Sequence, residues 1–144
     1  MHVYSVTVGD GRDTEELVGA GGYGYAHSCL TSENFPVGRF EGKRTRAIVL
    51  LEIDHAATAA EVIALAEGRG LERPTYEDAL HFGIEHPGVQ LERSVIFLHE
   101  PWFGFFGRRD VLCLWSSAGR REIGLEDFDG TWSPDYRFAF VRLP

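Results

Sequence analysis

The residues best suited to chemistry lie in one short segment, His81-Phe82-Gly83-Ile84-Glu85-His86, with His99 further along. Zinc-binding helices place two histidines at i and i+4, so that both ring nitrogens reach one metal from one face. Here the histidines stand at i and i+5, which turns them about 140° apart on a helix of 3.6 residues per turn. They cannot chelate together. His81 and Glu85 do share a face and could supply two ligands, with His99 a third if its strand passes nearby. The competing reading is an exposed polar helix face carrying an ordinary i,i+4 contact.

Four other patterns invite the same question. Glu126-Asp127-Phe128-Asp129, with Asp135 beyond, could do acid–base work or hold a cation, although Asp-x-Asp-Gly is also the composition of an Asx-type turn. Cys29 lies near His27 but has no electropositive setting to favour a thiolate, and Cys113 sits inside an apolar run that reads as core. Gly19-Ala20-Gly21-Gly22-Tyr23-Gly24 matches G-x-G-x-x-G. A dinucleotide site needs those glycines to follow a strand and open a helix; here they close a short helix and suit a C-cap and turn. Asp54-His55 has no nucleophile beside it. No G-x-S-x-G, Walker or S-x-x-K pattern occurs. No metal-ligand set and no cofactor site is assigned.

Pro101-Trp102-Phe103-Gly104-Phe105-Phe106-Gly107-Arg108-Arg109 puts four aromatics in five positions between two strands. Loops run over the surface, and aromatic area exposed there marks a partner or ligand site. Trp102, Phe103, Phe105, Phe106, Arg108 and Arg109 are therefore the candidate partner-binding residues, the arginines suiting an acidic or aromatic counterpart. In the other arrangement the loop folds back as a lid, with Trp102 and Phe105 buried.

The elements that must hold these groups can be read from capping and periodicity. Val3 to Val8 alternates as a half-buried strand, and Thr45 to Ile53 contains the apolar run Ala47–Leu51 of a central strand covered on both faces. Asp13-x-x-Glu16, Thr58-x-x-Glu61 and Thr75-x-x-Asp78 are capping-box starts for three short helices. On the last, Tyr76, Ala79, Leu80, Gly83 and Ile84 form the apolar face, with His81 and Glu85 on the polar one. Strands follow at Val95–Leu98, Val111–Trp115, Arg121–Leu125 and Tyr136–Leu143. Their close spacing predicts an antiparallel meander.

A chain of 144 residues with 44% apolar and 25% charged residues suits one globular domain with a sizeable core. The net charge of −8 and the absence of a long basic run argue against nucleic-acid binding. No apolar run is long enough to cross a membrane as a helix, no secretory signal is visible, and two unrelated cysteines suit a reducing cytoplasm.

Arg73-Pro74-Thr75-x-x-Asp78-Ala79-Leu80, then Pro87-x-x-Gln90 ahead of a buried strand, then Trp132-x-x-x-Tyr136-Arg137-Phe138-x-x-Val141-Arg142 resemble a pattern in small uncharacterised bacterial proteins. Tyr4-x-Val6 and Thr31-Ser32-Glu33-Asn34-Phe35-Pro36 are similar to their N-terminal halves. The resemblance spans most of the chain and implies a bacterial domain; it carries no activity, cofactor or catalytic residue. The expectation is an α+β fold, an antiparallel sheet from the C-terminal half plus the strand near 45–53, with two to three short helices on one face. The expected function is a non-enzymatic binding or regulatory protein acting on another protein or small ligand through 101–109. The alternative is a small metal-assisted or hydrolytic enzyme using His81, Glu85 and His99, or the acidic turn at 126–135.

Overall fold

The structure is a computed structural model that describes residues 2–38 and 40–144, and at Phe105 the backbone alone. Strand β1 (Val3–Val8) leads through Gly9-Asp10-Gly11 to helix α1 (Thr14–Ala20), then to β2 (Tyr25–Ala26) and the long β3 (Arg44–Glu52). Next come β4 (Ala57–Thr58), α2 (Ala59–Gly68), β5 (Leu71–Glu72), α3 (Tyr76–Glu85) and α4 (Val89–Glu92). The C-terminal part holds β6 (Val95–Phe97), β7 (Trp102–Phe103), a 3₁₀ turn (Phe105–Gly107), β8 (Arg109–Ser117), β9 (Arg120–Asp127), β10 (Thr131–Trp132) and β11 (Arg137–Arg142).

All three expected capping boxes form. Asp13, Thr58 and Thr75 each accept from the backbone N–H three residues on, while Glu16, Glu61 and Asp78 return the bond to the cap backbone. Each box satisfies two of the N–H groups that a helix start leaves unpaired.

The sheet order is β1-β3-β11-β6-β8-β9-β2, with β5 beside β11 and β7 beside β8; β4 and β10 form a separate short pair. This corrects the antiparallel expectation. β6 runs parallel to β11, and β2 parallel to β9, so the sheet is mixed. The reason is that the last strand does not join the end of a meander. It returns to the middle, antiparallel to β3 from Arg137↔Glu52 to Arg142↔Ala47, and parallel to β6.

Four helices, rather than two to three on one face, cover both faces. Leu17 of α1 and Ala79, Leu80 and Phe82 of α3 pack with Val6, Ile48, Phe97, Leu112 and Val141. Ala59, Val62 and Ala66 of α2 pack on the opposite side with Val49, Leu51, Ile96, Cys113, Phe138 and Phe140. A central strand apolar on both faces requires two such layers, and β3 and β11 both have that character. Among the described residues, no helix is long and apolar enough to cross a membrane.

The largest difference within an element concerns α3. Its face carrying His81 and Glu85 was expected to meet solvent; Glu85 does, but His81 is only 1% exposed, and Glu77 on the same side 3%. β1 is an edge strand with backbone groups unpaired by any neighbour on one side, and α3 lies against it. Thr7 N–H donates to Glu85 Oε2 at 2.9 Å and Gly9 N–H to Glu77 Oε2 at 2.9 Å. His86 Nε2 lies 2.7 Å from Ser5 O. The polar face of α3 is thus the cover of a sheet edge, a position that otherwise invites another chain.

Candidate functional site: an aromatic hairpin

β7 and β8 form a hairpin in the register Trp102↔Asp110 and Phe103↔Arg109. Gly104 N–H donates to Arg108 O at 2.9 Å and closes it. A Cβ on Gly104 would come 2.8 Å from the Trp102 ring, so glycine lets the indole lie against the strand. The tip turns through Phe106 and Gly107, with φ of 64° and 71°. Glycine adopts that left-handed region freely, whereas an aromatic residue is strained in it.

The hairpin divides its aromatics between core and solvent. Trp102 points to the α1/α3 side and packs on Phe35, ring centroids 5.2 Å apart. Phe35 meets Tyr76 at 5.2 Å, and Tyr76 meets His99 at 5.7 Å, so the base of the hairpin is anchored in a row of rings. Phe103 is 66% exposed and Phe106 fully so. The side chain of Phe105 lies outside the described residues. Both arginines are spent within the molecule. Arg108 Nε bonds Asp110 Oδ1 at 2.6 Å, and Arg109 forms a two-pronged pair with Asp129 while lying 5.0 Å over the Phe128 ring. The Arg109 bond holds the Asp129 carboxyl below the usual carboxylate range.

The chemical candidates are dispersed. His81 Nδ1 and Glu85 Oε2 do approach, at 4.0 Å. His99 is occupied elsewhere: its Nδ1 donates to Glu100 O at 2.7 Å, and its Nε2 accepts from Leu112 N–H at 3.0 Å. A carbonyl only accepts and an amide N–H only donates, so the ring is fixed as one neutral tautomer with both nitrogens engaged. Among the described residues, no group of three or more His, Cys, Asp or Glu is arranged to hold a metal ion.

The acidic stretch is an Asx turn, Asp129 N–H donating to Asp127 Oδ1 at 3.0 Å, with Asp129 taken by Arg109. The Gly19–Gly24 segment closes α1. Gly21 and Gly22 N–H groups bond carbonyls of that helix, and Gly24 N–H bonds Arg121 O at 2.8 Å. These donors are not turned toward a phosphate. His27 Nδ1 accepts from Cys29 N–H at 3.0 Å, so the imidazole serves the backbone. Burial pushes the Cys113 thiol well up. Asp54 and His55 pair with each other at 2.6 Å on the open surface.

One feature of the α2 side had no counterpart in the sequence reading. A cleft of about 340 Å³ is lined by Val49, Arg69, Gly70, Leu71, Arg142 and Leu143. Leu143 is 52% exposed at its rim. The side chains of Arg69 and Arg142 make no hydrogen bond or ion pair among the described residues. In the sequence only Arg142-Leu143, following the apolar run Phe138–Val141, falls at this place. The cleft itself joins residues from three separate elements.

Fold and hairpin define the class: an α+β protein with a mixed sheet, both faces covered, and an aromatic hairpin between β7 and β8. The chain matches no protein-family model, no curated protein and no solved structure.

Proposed function

We propose that this protein is a non-enzymatic binding module that engages a protein partner through the 101–109 hairpin. The observation that supports it is Phe106, fully exposed at a left-handed backbone position on an anchored hairpin. The backbone position costs stability, such strain running to about 1–3 kcal/mol, and the exposed ring gains none in the isolated chain, since only area removed from water stabilises. Phe103 adds a second exposed ring near the tip. Rigid aromatic anchors on a protruding element are the usual centres of protein interfaces, where they fill desolvated pockets. Arg108 and Arg109, neutralised by Asp110 and Asp129, stiffen the stem of the hairpin in this reading.

The test is the double substitution Phe103→Ser/Phe106→Ser. Both rings lie outside the core, so the melting temperature and circular dichroism should match wild type, while association measured by pull-down and size-exclusion should fall at least tenfold. A folded double variant that associates like wild type would sink the reading.

A further inference from the structure

The hairpin and the Arg69/Arg142 cleft share one end and one face of the sheet. β11 runs parallel to β6, so the end of β11 that carries Arg142 lies where β6 leads into the hairpin. Arg73, directly after β5, ties the two regions together by donating to Leu98 O at 2.9 Å and His99 O at 2.8 Å. The faces agree as well. Val49 and Leu71 belong to the α2 side, and Arg142 shares the parity of Phe138 and Phe140. Phe103 stands opposite Arg109, which shares the parity of Val111 and Cys113 on that same side.

The two features are also chemically complementary. The cleft offers apolar walls and two guanidinium groups with no partner among the described residues, in a protein of net charge −8. Around the hairpin, Glu100, Asp110 and Asp129 are matched by Arg73, Arg108 and Arg109, which leaves Glu126 and Asp127 in excess. An exposed phenyl ring on a hairpin with the excess negative charge of Glu126 and Asp127 therefore meets a cleft walled by Val49, Leu71 and Leu143 and lined by Arg69 and Arg142. Arginine over an aromatic face adds attraction, and a cleft of about 340 Å³ lies within the range that small ligands occupy, ample for one benzyl group. Neither exposed ring sits in its own chain's cleft.

We infer that the occupant of the cleft is the hairpin of a second copy of this chain, and that the two copies pair with two-fold symmetry. A tip and a receptor on one end and face allow each copy to give and receive the same contact, which closes the assembly as a dimer. This inference rests on the hairpin being the binding element and adds the identity of its partner. Long-range repulsion between two acidic chains opposes the pairing, and the arginine–carboxylate contacts across it are what offset that repulsion locally.

Two variants test it by complementation. Phe103→Ser/Phe106→Ser lacks the tip but keeps the cleft; Arg69→Glu/Arg142→Glu keeps the tip but reverses the cleft. Mass by light scattering is followed from about 1 μM to about 1 mM, the span of ordinary to weak affinities. The wild type should be dimeric at the upper end, and each variant alone monomeric. An equimolar mixture should regain association through its one intact contact. General loss of folding cannot produce that recovery. A wild type that stays monomeric throughout, while another protein's binding depends on Phe106, overturns self-pairing and leaves the hairpin reading standing. A dimer that survives Phe103→Ser/Phe106→Ser overturns self-pairing through the hairpin, whereas another protein's binding that survives the same substitution overturns the hairpin reading itself. A dimer lost in the tip variant but kept in the cleft variant, or a mixture that stays monomeric, overturns the cleft as receptor.

Discussion

His81 is the residue whose surroundings depart furthest from its chemistry. It is 1% exposed, and neither ring nitrogen has a hydrogen-bond partner among the described residues. Burial lowers its pKa from the ordinary 6.5; Asp10, Glu77 and Glu85 pull it back up, and Arg12 lowers it further. The nearest of these carboxylates are already committed, Glu77 and Glu85 to amides of the β1 edge and Asp10 to Arg12. The imidazole is therefore held neutral in the folded chain. A folded pKa below the unfolded one means that the unfolded state binds more protons through that window, so stability rises with pH. The contribution of neutral His81 is complete above about pH 6.5 and shrinks as pH falls toward the folded value, by no more than about 1.4 kcal/mol per pH unit for one proton. Urea unfolding at pH 7.5 and 5.5 should show this loss in wild type and a smaller one in His81→Leu. Equal losses in both would remove His81 as the cause. His81 does share a face with Glu85, as its spacing predicts, but residue types alone gave no sign that His81 is buried there.

At the scale of elements, α3 shows what was legible and what was not. Its start was readable because Thr75-x-x-Asp78 is a local signal whose partners lie within one turn. Its docking was not readable, because the acceptors Glu77 and Glu85 serve amides about seventy residues away in sequence, at Gly9 and Thr7. Two-residue strands such as β4, β5 and β7 carry no periodicity to detect, and α4 is a single turn. The capping residue Asp78 has a second task. Its oxygens take Arg46 Nε at 3.0 Å and Nη2 at 2.9 Å, besides Thr75 N–H at 2.8 Å, and its side chain is fully buried. Arg46 is also stacked 5.0 Å from the Phe40 ring centroid. This pair fastens α3 to the start of β3. Removing one partner of a buried pair costs about 3–5 kcal/mol, because the other charge is stranded; Asp78→Ala should therefore lose about 3 kcal/mol or more in urea unfolding. Thr58→Ala removes only a surface cap and should cost about 1 kcal/mol. Similar losses in the two variants would show that Asp78 acts as a cap alone. The candidate site was legible in the same uneven way: the aromatic run was plain, whereas the division between Trp102 inward and Phe103 and Phe106 outward depends on a hairpin register that no short motif encodes.

For the whole molecule, the decisive fact is that the last strand is a central one. The period-two pattern of Tyr136, Phe138 and Phe140 marked a strand, but Ala139 and Val141 on the other face are buried as well. That double burial was the available sign of a central position, and nearness in sequence to β9 pointed instead to a meander. Strand order is set by which apolar faces two helical layers can cover together, a condition that no local window contains. The consequence is a strong dependence of the fold on β11. β11 pairs with β3 through six residues, and also with β5 and β6, while Phe138 and Phe140 enter the α2-side core and Ala139 and Val141 the other. A chain ending at Asp135 would expose both cores and leave β3 and β6 without their shared neighbour. Truncating one buried Phe to Ala costs about 3–5 kcal/mol, against a typical total stability of about 5–15 kcal/mol, so losing the whole strand exceeds what the fold can bear. The 1–135 fragment should show no cooperative urea transition and no near-ultraviolet dichroism. A cooperative transition in that fragment would mean that the residues before β11 form a stable core alone, and would place β11 outside the cooperative unit. Added back as a separate peptide, residues 136–144 should restore the transition, because a segment that binds only the folded partner shifts the equilibrium toward it.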